Sequence, residues 1–199
     1  MLLRPPANER GFKREGLLRV LLNHPDGDLG KRELGRRAGT TGAWSVKFTK
    51  QLEVKGLVEG TKVINPVELY EYWQEVRVPP STVTVSMQSP VEMIQGSGLD
   101  HTFTTYQAEN ARQGFLFPSN SAVYVRPNDV DAWTTFIEEN ALVGGGNTEF
   151  RIADDHVFYN TETVNELRSV SIPQLILDLL DEGGPCVDAA ERLIEASHE

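Results

Sequence analysis

Apolar positions crowd together early in the chain. Between residues 12 and 23, Leu17, Leu18, Val20, Leu21 and Leu22 are dense enough for a buried helix, which His24-Pro25-Asp26-Gly27 stops. Residues 31–38 predict a short second helix with Leu34 and Ala38 four apart, ended by Gly39 where left-handed backbone is favoured. A third helix opens at Ala43 and runs to about Lys55, with Gly56 closing it. Leu57-Val58-Glu59 and Lys62-Val63-Ile64 then flank Gly60-Thr61, a two-residue hairpin connection. Asn65-Pro66-Val67-Glu68 starts a fourth helix: asparagine caps, proline suits the first turn, and Glu68 reaches back. Leu69, Trp73 and Val76 form its apolar stripe. Three helices followed by a hairpin is the element order of a winged helix-turn-helix.

Val78-Pro79-Pro80-Ser81 breaks the pattern, because a proline pair forces extended backbone. It divides the chain into a winged helix-turn-helix domain at 1–78 and a mixed α/β domain at 79–199, an α+β fold overall. In the second part, Val83, Val85 and Met87 alternate with polar residues as in a half-buried strand, and Ser89-Pro90-Val91-Glu92 is a helix start. Further strands are expected at 101–106, 122–126, 148–153 and 156–159, and helices at 107–113, 129–141, 173–182 and 187–196. The last two helices form a hairpin, with Leu175, Ile176, Leu179 and Leu180 facing a core and Gly183-Gly184-Pro185 as the turn.

Charge sharpens this division. Residues 1–78 hold 14 Lys+Arg against 10 Asp+Glu, net +4, whereas residues 79–199 hold 5 against 19, net −14. Every lysine lies at or before Lys62. Such asymmetry suggests that the two parts meet different partners. On a helical wheel, Trp44, Phe48 and Leu52 fall on one side of the third helix, and Ala43, Lys47 and Lys50 on the other. Arg36, Arg37, Lys47, Lys50 and Lys62 are therefore expected to cluster on a surface that binds the phosphates of double-stranded DNA, with Thr41 and Ser45 donating to phosphate or base. The modest net charge predicts that tight binding takes a homodimer.

Other chemistry is thin. Gly96-Ser97-Gly98 with Asp100 and Asp129-Val130-Asp131 carries the parts of a nucleotidyltransferase site, which is the alternative enzymatic reading, but its spacing is too long, and a turn plus a helix cap accounts for it. The other alternative is a protein-interaction module that binds no DNA, its acidic part meeting a basic partner. Asp154-Asp155 reads as a turn pair at a hairpin tip rather than a nuclease site, because no lysine follows it. His24, His101, His156 and His198 make no ligand motif, and Cys186 has no base beside it in sequence, so no cofactor, metal or catalytic residue is expected. With one cysteine, 39% apolar residues and no run near the roughly 20 residues of a membrane span, the chain reads as a cytoplasmic globular protein that is not an enzyme and contacts no membrane.

These elements in order resemble the AbiEi-type antitoxin and transcriptional-regulator family of type IV toxin–antitoxin systems. In the first part the likeness rests on Lys55-Gly56-Leu57-Val58, Val63-Ile64-Asn65-Pro66 and Tyr72-Trp73. In the second it rests on Phe103-Thr104-Thr105-Tyr106-Gln107-Ala108-Glu109-Asn110-Ala111, Ala122-Val123-Tyr124-Val125, Ile172-Pro173-Gln174-Leu175-Ile176-Leu177-Asp178-Leu179 and Asp188-Ala189-Ala190-Glu191-Arg192-Leu193. The resemblance implies a non-catalytic autoregulator whose winged helix binds operator DNA, and whose larger domain serves regulation or contact with a partner. In paired systems the cognate toxin is a nucleotidyltransferase. Pro185-Cys186-Val187 stands where related chains often carry a basic residue, and the second domain is unusually acidic.

Overall fold

The computed structural model describes residues 2–198. Helix α1 (Glu9–Asn23) begins at Asn8, whose Oδ1 accepts from the Gly11 N–H at 3.0 Å. It is followed by α2 (Lys31–Arg37), α3 (Gly42–Val54), and an antiparallel hairpin of β1 (Val58–Glu59) and β2 (Lys62–Val63). Helix α4 (Pro66–Val76) starts at Asn65, which caps it through the Glu68 N–H. Then come β3 (Ser81–Ser86), α5 (Pro90–Gly96), β4 (His101–Thr104), α6 (Thr105–Arg112), β5 (Ser121–Val125), α7 (Val130–Asn140), β6 (Leu142–Val143) and β7 (Thr148–Ile152). The hairpin β8 (Glu162–Val164) and β9 (Leu167–Ser169) precedes α8 (Ile172–Glu182) and α9 (Pro185–His198). The architecture is mixed α/β, with helices around an open seven-stranded sheet ordered β6-β3-β7-β5-β4-β9-β8.

The sheet is covered on both faces, so all five residues of β5 are buried. Phe103, Val123 and Phe150 stand side by side across β4, β5 and β7. They pack with Trp133 and Ile137 of α7 and Ile94 of α5, and each of these large side chains contributes roughly 1.5–3 kcal/mol by leaving water. The alternate positions, Tyr124 among them, face the other way into a core shared with α8 and α9. That core does not stop at the Pro79-Pro80 break. It runs on through Leu69 and Trp73 of α4 to Leu17, Leu18 and Leu21 of α1, whose residues from Glu15 to Leu22 are all buried.

Polar groups are matched along this seam. Glu15 accepts from the Trp73 indole N–H at 3.0 Å and the Val78 N–H at 2.7 Å, and burial raises its pKa. The Arg19 side chain, 1% exposed, donates to Gln174 Oε1 at 2.8 Å and His156 Nδ1 at 2.9 Å. Asp178 of α8, 0% exposed, accepts from the Tyr124 hydroxyl (2.9 Å), Gln174 (3.0 Å), Thr104 (2.6 Å) and Arg77. Arg77 lies at the end of α4, so one buried carboxylate joins the helical part of the chain to the sheet. Burial opposes the charge on Arg77, but Asp178 beside it holds its pKa up.

Two expectations fail here. Residues 156–159 are not a strand: Asp155–Phe158 form a 3-10 turn, with Val157 and Phe158 both buried in succession. The reason is topological, since β7 is paired on both sides, to β3 and β5, and offers no free edge for a returning strand. Asp154-Asp155 is therefore not a hairpin tip. The strand expected at 101–106 stops at Thr104, and Thr105 opens α6 directly.

His156 carries a pH consequence. Its Nε2–H donates to the Arg37 carbonyl at 2.9 Å, Arg19 donates to its Nδ1, and Asp154 lies close in sequence. Burial, followed by the Arg19 charge, pushes its pKa down to about 4 from 6.5. The folded state thus binds fewer protons than the unfolded chain between these values, so stability is whole above about pH 6.5 and falls as pH drops toward about 4. Allowing for partial exposure, wild type is expected to lose about 2–3 kcal/mol more than His156→Gln between pH 7 and 4 in urea denaturation. Equal pH slopes in the two proteins would refute this.

Candidate nucleic-acid interface

Helices α2 and α3 meet closely because Gly35 lacks a side chain: a Cβ there would stand 2.7 Å from Ser45 Oγ. Gly39, at φ 65°, turns the chain between them in a conformation that other residues adopt only with strain. Thr41 then starts α3, its Oγ1 accepting from the Trp44 N–H at 3.3 Å. Phe48 and Leu52 are buried under α3, and Trp44 is half-buried, stacked on Phe48 with ring centroids 5.7 Å apart. This leaves Ala43, Val46, Lys47, Lys50 and Gln51 on the exposed side.

The expected basic residues divide into three groups. Lys47 and Lys50 are exposed and lie in no salt bridge among the described residues, although the Lys50 charge acts on Glu53, and Lys62 is exposed on β2 opposite Glu59. Arg36 and Arg37 share Glu33: Arg36 makes two bonds to it, at 2.6 and 2.7 Å, and Arg37 one at 2.9 Å. Hydrogen bonds from these two guanidinium groups hold the Glu33 carboxyl down to about 2. Arg37 also bonds His24 Nε2 at 2.9 Å, so it is a tethered cation on the flank. Ser45 does not belong to the face at all. It is 0% exposed, and its hydroxyl donates to the Lys31 carbonyl at 2.5 Å, locking α3 to α2.

Tertiary packing adds residues that sequence periodicity does not reveal. Arg32 of α2 is exposed, and its Cγ is 3.3 Å from where a Cβ of Gly42 would be, at the start of α3. Arg10 and Lys13 of α1 line a groove of about 570 Å³ with Thr40, Thr41 and Trp44. No spacing rule links residue 10 to residue 41; only the fold brings them together. At the far end of α3, Glu53 accepts from Lys31 and from the Gly60 N–H, both at 2.9 Å, fixing the hairpin against the helix.

The second part of the chain presents the opposite field. All five of its arginines are engaged. Arg112 pairs with Glu162, Arg126 with Asp100 and Asp155, Arg151 with Glu149 and Glu182, and Arg168 with Asp100, while Arg192 lies 4.1 Å over the Phe115 ring. Of the carboxylates that pair with no arginine, Glu109 is buried and accepts from the Phe115 and Leu116 N–H groups, and most of the others are partly or fully exposed. Ser97, the serine of the glycine-rich turn, donates to the Ile94 carbonyl and accepts from the Leu99 N–H, and Asp129 stands at the start of α7. Among the described residues no group of three or more His, Cys, Asp or Glu is arranged to hold a metal ion, and no helix is long and apolar enough to cross a membrane. No family model, curated protein or solved structure matches the chain, so the reading of this basic face rests on its own residues.

Proposed function

We propose that the protein is a sequence-specific regulator that binds double-stranded DNA as a homodimer, of the type IV antitoxin kind, and that α1 to β2 act as its winged helix-turn-helix. In this reading α3 enters the major groove, where Lys47 and Lys50 reach guanine edges or phosphates, and Arg10, Arg32 and Lys62 hold the flanking backbone. Arg36 and Arg37 contribute less, because Glu33 already offsets part of their charge. One observation carries the proposal: the side of α3 opposite its buried stripe holds two exposed lysines, Lys47 and Lys50. The −14 second part repels DNA and serves regulation or contact with a basic partner.

Anisotropy titration of a labelled duplex of about 25 base pairs, in increasing salt, tests this. Five cations per protomer give an expected slope of log K against log salt of about −4 to −5 per protomer. Absence of binding at low salt, or a flat slope, would overturn the assignment.

A further inference from the structure

The turn from β4 into α6 has no loop. Thr104, the residue before the helix, is extended and supplies no side-chain cap, because its hydroxyl donates to Asp178 at 2.6 Å. Thr104 and Thr105 are both buried, Tyr106 and Gln107 are half-buried, and no side chain caps the first N–H groups of α6. A buried helix start left in this state favours an anion, through its orphaned donors and the helix dipole.

Thr105 is an independent sign. It has φ 47°, is 1% exposed, and its hydroxyl forms no hydrogen bond among the described residues. A β-branched residue in the left-handed region is strained, and such strain persists where the surroundings enforce it. Thr105 lines a cleft of about 100 Å³, together with Tyr106, Ser121, Glu149, Arg151 and Glu182. Glu149 and Glu182 both pair with Arg151, two carboxylates against one guanidinium, so this wall has a net negative charge.

Thr104, Ala122 and Glu149 stand side by side across β4, β5 and β7. The start of α6 and the Glu149 and Glu182 side chains thus line one cleft from its two sides. A bare anion would meet the excess carboxylate, and a bare ammonium would meet the helix dipole. We propose that this cleft binds a small zwitterion, an α-amino acid of glycine to serine size. Its carboxylate accepts from the first N–H groups of α6 and from the Thr105 hydroxyl, and its ammonium donates to Glu149 and Glu182. This site does not depend on the DNA-binding reading.

Isothermal titration of the full chain with glycine, L-alanine, acetate and methylammonium is the test. Glycine or alanine is expected to bind saturably, about tenfold or more tighter than either half-ligand. Thr105→Gly suits φ 47° and so keeps the fold, but removes the hydroxyl; it is expected to weaken glycine about tenfold without lowering the melting temperature. Glu182→Gln is expected to weaken glycine and tighten acetate. The proposal is overturned if neither amino acid saturates below about 50 mM, if acetate matches glycine, or if Thr105→Gly binds glycine as wild type does.

Discussion

Asp178→Ala is expected to cost about 3–5 kcal/mol of folding stability, the range for removing one member of a buried ion pair. The carboxylate is 0% exposed and collects Arg77, Tyr124, Gln174 and Thr104 on its two oxygens. Without it, the Tyr124 and Thr104 hydroxyls lose their acceptor in a dry interior, and Arg77 keeps Asp181 as its one carboxylate, besides the Leu177 carbonyl and the Tyr124 hydroxyl. Asp178→Asn separates charge from shape: the amide keeps one acceptor oxygen but loses the charge, and is expected to fall between wild type and alanine. Because domains of this size are stable by about 5–15 kcal/mol, the alanine variant should show a clearly lowered urea midpoint with an unchanged m-value. A loss below about 1 kcal/mol would mean that Arg77 re-pairs fully elsewhere, and the seam would not depend on this residue.

The second large effect is functional. Lys47→Ala combined with Lys50→Ala is expected to weaken DNA binding about 10–100-fold near 0.1 M salt and to reduce the magnitude of the salt slope by about 1.8 per protomer, two phosphate contacts' worth. Both side chains are exposed, so the variant should melt within about 0.5 kcal/mol of wild type. That separates lost contact from lost fold. If either lysine reads a guanine, discrimination between operator and random duplex narrows as well. Unchanged affinity and slope would remove α3 from the interface, whatever else the protein binds.

The elements that were legible in the chain are those whose pattern is local. The four-residue spacing of Trp44, Phe48 and Leu52 gives α3 and its inward side, and Asn65-Pro66 gives the start of α4. Where packing decides, the pattern misleads. Residues 156–159 have strand-like composition, but β7 has no free edge to pair with them. The β8–β9 hairpin is missed because its turn places Asn165 and Glu166 at φ 47° and 66°, and glutamate is no signal for left-handed backbone. Ser45 fits the chemistry of a DNA contact and lies on α3, but the glycine that lets α2 approach it sits ten residues earlier. Arg10 and Arg32 were equally invisible, since their nearness to the start of α3 is a tertiary fact.

The apolar interior that passes unbroken beneath the Pro79-Pro80 step has a bearing on how such a chain can be inherited. A segment exchanged between proteins as a portable cassette must carry its own wall-to-wall packing. Here, a cut at that step would leave Leu17 and Trp73 on one side, and Leu175 and Ile176 on the other, each facing water where they had faced one another's layer. The two oppositely charged parts therefore stand or fall together, and any exchange of one must bring a matching surface for the other.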